Sequence, residues 1–173
     1  MDATAPTLVF TTGIDSFQFL VNFATLSPAA HTAIGLGDHL LHANDRGVVL
    51  EPRIDWFTRK RQRLVGEFEI VPDVRHGVQR CLGRLGEGYD FPGIVRLTVM
   101  IALRHLRSSI GRVGWAPGSA HTCSSFAMLL DPHGDLIPEW RDLDRASVMP
   151  VDLLGRAHSG PSFRKLALSI RQL

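Results

Sequence analysis

Two histidines and one cysteine are the side chains of this sequence best suited to act together chemically. His31 and His42 lie in a short segment of alternating polar and apolar residues, and Cys123 stands where a polar loop gives way to an apolar run. A thiolate attacks carbonyl carbon, and an imidazole can take the proton from the thiol. The three residues together therefore predict one active site that forms an acyl-enzyme on Cys123.

The spacing of the histidines predicts that both lie on one face of a β-hairpin. With Gly37-Asp38 as a two-residue turn, Ala33 faces His42 on the neighbouring strand. Because side chains alternate along a strand, His31 then lies diagonally from His42 on the same face, about 7 to 8 Å away between backbones. A three-residue loop would put the two on opposite faces. The neighbouring residues on this face are small, which predicts the open floor of a cleft.

Cys123 is predicted at the start of a helix over residues 122–130. Unpaired backbone amides at a helix start favour thiolate over thiol, and they can hold the oxyanion that forms when a carbonyl is attacked. A lone cysteine before an apolar run is otherwise a small buried hydrophobe. Cys81 falls inside a predicted helix over residues 74–85, where no free amide can activate it, and we assign it to the core or to an inert surface.

The elements that must position these residues predict an α+β fold. Alternation and turn residues predict a strand at 8–10, a meander of antiparallel strands over 30–50 and a strand at 64–71. Helical spacing and turn signals predict helices at 16–23, 74–85 and 94–106, a helical turn at 54–57, a loop at 111–118 and at most one short helix near 151–154. In the first helix the residues predicted to face inward are Phe17, Leu20, Val21 and Phe23. The order helix, sheet, helices fits α+β better than a parallel βαβ arrangement.

Length and composition predict a single domain over residues 1–173, with 156–173 as a polar C-terminal tail. At 173 residues and 45% hydrophobic composition the chain can bury one substantial core. Two cysteines exclude a disulfide-stapled secreted scaffold and a CxxC zinc motif. No signal peptide and no apolar stretch of about 20 residues is found, so we expect cytoplasmic synthesis and no membrane span.

A cluster of basic residues could indicate an anionic partner; its members are Arg59, Lys60, Arg61 and Arg63. No aromatic residues interleave with them, as a single-strand binder would want, and the net charge is only +2. We therefore favour an exposed edge kept soluble by its charges over nucleic-acid binding.

A zinc site is a further alternative for the same residues, with the ligands His39, His42, His121 and Cys123. His39 and His42 are expected on opposite faces of their strand, which argues against it. We expect neither a metal nor a cofactor.

The run from His31 to Ala43 resembles the circularly permuted NlpC-type papain-fold proteins, which include the lecithin:retinol acyltransferase-like enzymes. In that family a histidine opens a strand of the form His-x-x-Ile-x-x-Gly, a second polar residue follows on the next strand, and the nucleophilic cysteine comes last, at a helix start. Other similar segments are residues 47–52, 89–93, 123–126 and 149–154. The resemblance runs from about residue 8 to residue 155.

The resemblance implies a circularly permuted papain-like fold in which an antiparallel sheet packs against helices. It implies that Cys123 is the nucleophile, that His31 is the general base, and that His42 orients and supports the His31 imidazolium. Ser124 stands where relatives often carry an acidic residue, which leaves the reaction class more open than the attack chemistry.

A cysteine peptidase or amidase that cleaves peptidoglycan peptides is the function that the resemblance implies first. An enzyme of this kind without a signal peptide would suit a bacteriophage tail or another virion-associated particle, whose proteins would then be its partners. Two alternatives stay open: a non-catalytic structural or binding module of a particle, and a lipid acyltransferase or thioesterase.

Overall fold

The computed structural model of the chain describes residues 5–13, 16–90, 92–96, 99 and 121–167. Six strands form one sheet: β1 (Thr7–Thr12), β2 (His31–Leu36), β3 (His39–Asn44), β4 (Gly47–Pro52), β5 (Arg63–Ile70) and β6 (Phe163–Lys165). Their order across the sheet is β4-β3-β2-β1-β5-β6, and every neighbouring pair is antiparallel. The predicted α+β class with an antiparallel sheet is confirmed.

The helices that accompany the sheet are α1 (Ser16–Thr25), α2 (Arg53–Thr58), α3 (Arg75–Leu82), α4 (Cys123–Ala127) and α5 (Pro150–Ser159). Short 3-10 helices cover Met128–Leu130 and Pro138–Trp140, and residues 92–96 are helical. The predicted helix at 94–106 lies mostly outside the described residues, and the predicted loop at 111–118 lies wholly outside them. In the part of the chain that the structure describes, no helix is long and apolar enough to cross a membrane.

The turn between β2 and β3 determines which residues of the two strands share a face. Gly37 has a φ of 58°, a positive value that the first position of a type II′ turn needs and that glycine adopts without strain. The strands pair as Ile34 with Leu41 and Gly35 with Leu40. This is the register that the two-residue turn predicts, so the hairpin prediction is confirmed.

The sheet separates two apolar cores of unequal size. One face contributes Leu8, Phe10 and Ile34 to the main core, against residues of α3, α4 and α5. The other face contributes Val9, Ala33 and Leu40 to a small core closed by Trp56 of α2; this layer is called the tryptophan layer below. The cysteine helix α4 therefore packs on one side of the sheet and α2 on the other.

One prediction about the first helix is wrong. Val21 is buried as expected, whereas Phe23 is 67% exposed and stacks with the 68% exposed Phe19, at 6.5 Å between ring centroids. Successive helical residues are about 100° apart, so two residues separated by one position cannot both face inward. The side chains of Phe17 and Leu20 lie outside the described part of the structure.

The C-terminal region has more regular structure than the sequence pattern indicates. The helix expected near 151–154 is the ten-residue α5, which begins with Pro150 at its first turn. Within the segment assigned to a polar tail, Ala157 and Phe163 are buried and β6 pairs with β5 at the edge of the sheet.

Candidate active site

The imidazoles of His31 and His42 are in direct contact on the face of the tryptophan layer. Nε2 of His31 lies 2.6 Å from Nδ1 of His42, and the rings meet edge to face with centroids 4.9 Å apart. The hairpin register produces this contact, because Ile34 pairs with Leu41 and the histidines are therefore diagonal neighbours.

Glu51 on β4 extends this pair into a chain of three side chains. His42 pairs with Val49 across the strands, so Glu51 is its diagonal neighbour on the same face, and Oε1 of Glu51 lies 2.7 Å from Nε2 of His42. Asn44 donates to the same oxygen at 3.3 Å, and Arg46 donates to Oε2 at 2.5 Å. Glu51 was not predicted as a site residue. It lies two residues after Val49 on β4, so strand alternation places it on the same face as Val49 and as His42, with which Val49 pairs.

The histidine face is closed, which corrects the expected open floor of a cleft. The ring centroid of Trp56 lies 4.9 Å from that of His31 and 4.5 Å from that of His42. His31 is 5% exposed and His42 is fully buried. The small residues on this face leave room for the indole of Trp56. This residue belongs to α2, which follows β4 and packs against the sheet.

An ion pair at the start of α2 holds the tryptophan in place. Nη2 of Arg53 lies 2.5 Å from Oε1 of Glu67 on β5, and Thr7 on β1 bonds to the same carboxylate. A Cβ at Gly35 would collide with Thr7 and Arg53, so the glycine makes room for this pair. At the other end of α2, the Lys60 ammonium lies 5.0 Å from the Trp56 ring centroid.

Burial determines the charge states of the chain of three residues. It holds the pKa of His31 well below 6.5, and the nearby His42 and Lys60 act in the same direction. Burial also lowers the pKa of His42, outweighing the opposing hydrogen bond to Glu51. For Glu51 burial favours the neutral acid, but hydrogen bonds from His42 and Arg46 hold its pKa at about 2. At neutral pH both imidazoles are neutral and Glu51 is a carboxylate.

Cys123 is the first residue of α4, as predicted. Thr122 caps the helix: its Oγ1 accepts from the Ser125 amide at 3.1 Å, and its own amide donates to Ser125 Oγ at 2.9 Å. Burial raises the pKa of the Cys123 thiol, although the backbone amides of Thr32 and Ser124 favour the thiolate. The helix start was expected to favour the thiolate. This expectation is wrong, because burial raises the pKa of the thiol by more than the backbone amides lower it.

The sulfur of Cys123 reaches the end of β2 where His31 lies. The amide beside the thiol belongs to Thr32, the residue that follows His31. The helix that carries the thiol packs in the main core through Phe126 and Ala127. Across the described ranges, no hydrogen bond joins His31 to Cys123. The structure thus brings the two histidines into contact and places the thiol at the backbone of Thr32, the residue that follows His31.

A small cavity of about 20 Å³ lies against Cys123, between α1 and the start of α5. Apolar side chains form much of its described wall, among them Val21, Ile94 and Met149. This volume is enough for about one water molecule.

The residues weighed as zinc ligands do not come together. His39 is exposed on the opposite strand face from His42, and Nε2 of His121 lies 2.7 Å from a carboxylate oxygen of Glu87. Among the residues with a described position, no three potential metal ligands form a cluster. Cys81 is fully buried and its pKa is raised to about 12 by burial, so its assignment to the core is confirmed.

In comparisons with known proteins, neither a family model nor a curated protein matches this sequence.

Proposed function

We propose that this chain is a cysteine hydrolase of the peptidase or amidase type, with a circularly permuted NlpC-type papain fold. Cys123 is the nucleophile and His31 the general base. The observation that carries the proposal is the chain of hydrogen bonds from Glu51 through His42 to His31, which ends beside the residue whose amide contacts the Cys123 thiol.

The proposed reaction moves one proton and one acyl group. Sγ of Cys123 attacks the carbonyl carbon of an amide while His31 takes the thiol proton, and the carbonyl oxygen becomes an oxyanion. His42 and Glu51 stabilise the imidazolium that forms. His31 then gives its proton to the leaving amine as the C–N bond breaks, which leaves a thioester on Cys123. Water, activated by His31, hydrolyses the thioester and restores the thiol.

The raised pKa of the Cys123 thiol favours transfer of its proton during the attack over a preformed thiolate. His31 suits this task because its own pKa is held below 6.5, so the ring is the free base at neutral pH. The nearby carboxylate of Glu51 stabilises the charge that the pair acquires.

Peptides of peptidoglycan are the proposed substrate class, and the proposal rests on the family resemblance. A cell-wall hydrolase of a bacteriophage tail or another virion-associated particle is the corresponding biological setting. Transfer of a fatty acyl group from a lipid ester uses the same thioester and differs in donor and acceptor.

The second candidate function is a non-catalytic structural or binding module. It is favoured by one observation: the thiol is 3% exposed and, in the described part of the chain, makes no hydrogen bond to His31. A module of this kind would keep the cysteine as a small buried residue.

Removal of the thiol separates the two candidates. Turnover of peptidoglycan fragments is measured for the wild type, for Cys123→Ala and for the matched control Cys81→Ala, with circular dichroism to verify folding. We expect Cys123→Ala to lower kcat by at least about 1,000-fold, as removal of a catalytic nucleophile does. Cys81→Ala should keep the activity. Equal activity of Cys123→Ala and the wild type would refute the assignment of Cys123 as the nucleophile.

A further inference from the structure

Glu51 has a role in the proposed reaction that follows from the direction of its hydrogen bonds. An ionised carboxylate only accepts hydrogen bonds, so the bond of 2.7 Å to His42 requires a hydrogen on Nε2 of His42. Arg46 and Asn44 donate to the same carboxylate, so they reinforce its role as an acceptor.

The hydrogen on Nε2 of His42 determines the state of the next ring. A neutral imidazole carries one N–H, so Nδ1 of His42 is then an acceptor. The contact of 2.6 Å from Nδ1 of His42 to Nε2 of His31 therefore requires that Nε2 of His31 is the donor. His31 is neutral too, which leaves its Nδ1 without a hydrogen.

This bare nitrogen is the one that proton transfer from Cys123 needs. Nε2 of His31 is occupied by His42, so Nδ1 is the ring atom left for the thiol proton. With the reverse direction of the bonds, Nδ1 of His31 would carry a hydrogen and could not act as a base. We propose that Glu51 is a positioning residue that determines the tautomers of His42 and His31 and thereby keeps Nδ1 of His31 free as the general base.

This inference rests on the proposed function for its catalytic meaning, while the tautomers themselves can be observed without any substrate. In ¹⁵N-detected NMR of the histidine rings, the wild type should show hydrogens on Nε2 of both His31 and His42 at neutral pH. A wild-type spectrum with the hydrogen on Nδ1 of His31 would overturn the proposal, whatever any variant does.

The variant Glu51→Gln keeps the size of the side chain and replaces one acceptor oxygen by a donor group. We expect a measurable population of the reverse tautomer in this variant. Glu69→Gln on β5, which removes a carboxylate remote from the histidines, should leave the tautomers as in the wild type. Identical ring spectra for Glu51→Gln and Glu69→Gln would contradict the role of Glu51.

Kinetics give the second measurement. Glu51→Gln should lower kcat about 10- to 1,000-fold with little change in KM, because the residue contacts His42 and not the substrate. Unchanged kcat in Glu51→Gln, beside an inactive Cys123→Ala, would refute the positioning role alone. Retained activity in Cys123→Ala would refute the proposed function and leave the tautomer result standing.

Discussion

Nε2 of His31 and Nδ1 of His42 lie 2.6 Å apart beneath the indole of Trp56. The contact is made by two neighbouring antiparallel strands whose turn allows one register only. Both rings are buried, which favours their neutral forms, and the Glu51 carboxylate as acceptor gives the bond between them a defined direction. The pair therefore has the arrangement that the proposed general base and its orienting partner require, on a largely buried face of the sheet.

Removal of the Trp56 side chain should open this face to water. We expect Trp56→Ala to lower the free energy of unfolding by about 3 to 5 kcal/mol, as truncation of a buried aromatic residue does. The pKa of His31 should rise toward 6.5, because burial is the main cause of its low value. Urea unfolding and NMR pH titration measure the two effects.

Trp140→Ala is the matched control, since Trp140 is buried in the main core on the other side of the sheet. It should cost stability without changing the pKa of His31. If the pKa of His31 in Trp56→Ala stays as low as in the wild type, the indole is not what shields the histidine pair from water.

The pH dependence of stability should report the same burial. The folded-state pKa values of His31 and His42 lie below 6.5, so below pH 6.5 the unfolded chain binds protons that the folded chain does not. The free energy of unfolding should therefore fall as the pH decreases below 6.5. For His31 the loss between pH 7.5 and pH 5.5 is on the order of 1 kcal/mol.

Urea unfolding at the two pH values tests this slope. His31→Gln should lose less stability on acidification than the wild type, while His133→Gln, which removes an exposed histidine, should match the wild type. An unchanged slope in His31→Gln would contradict the buried neutral imidazole.

Glu51 affects stability in a separate pH range. Its folded pKa of about 2 lies below 4.5, so its contribution to the free energy of unfolding is present above pH 4.5 and is lost as the pH falls toward 2.

The support of the cysteine helix can be tested at Gly77 of α3. A Cβ at this position would collide with the backbone of Leu130, in the 3-10 helix that continues α4. Because backbone cannot move aside cheaply, Gly77→Ala should lower the free energy of unfolding by about 1 to 3 kcal/mol.

Gly155→Ala provides the comparison, since nothing lies within 4 Å of a Cβ built at this position of α5. It should be neutral or stabilise by up to about 1 kcal/mol, because alanine restricts the unfolded chain more than glycine. Equal unfolding free energies for the two variants, measured in urea, would show that α3 is not closely packed on Leu130.

The register of the histidines could be predicted from local features, and their burial could not. A glycine turn and strand alternation are short-range, and they are enough to place His31 and His42 on one face. Trp56 covers the histidines because α2 packs back against the sheet. The ion pair between Arg53 of α2 and Glu67 of β5 supports this packing, and its two residues belong to different elements. A pattern of small residues on a strand cannot show what packs against it.

Glu51 and the state of the thiol were missed for related reasons. Strand alternation shows which face of β4 carries Glu51. Its contact with His42 also depends on the register between β3 and β4, which alternation does not give. The helix start at Cys123 was predictable from Thr122 and the apolar run. The desolvation that raises its pKa arises from packing of α4 on β2, which is a tertiary contact.

Mass spectrometry of Cys123 after exposure to peptidoglycan fragments and, separately, to lipid esters tests the central claim most directly. Rapid acid quenching preserves a thioester, and Cys81 in the same chain serves as the internal control. We predict an acyl group on Cys123 and none on Cys81, with a mass that identifies the substrate class. An unmodified Cys123 with both substrate classes, in a preparation that turns either of them over, would contradict the acyl-enzyme.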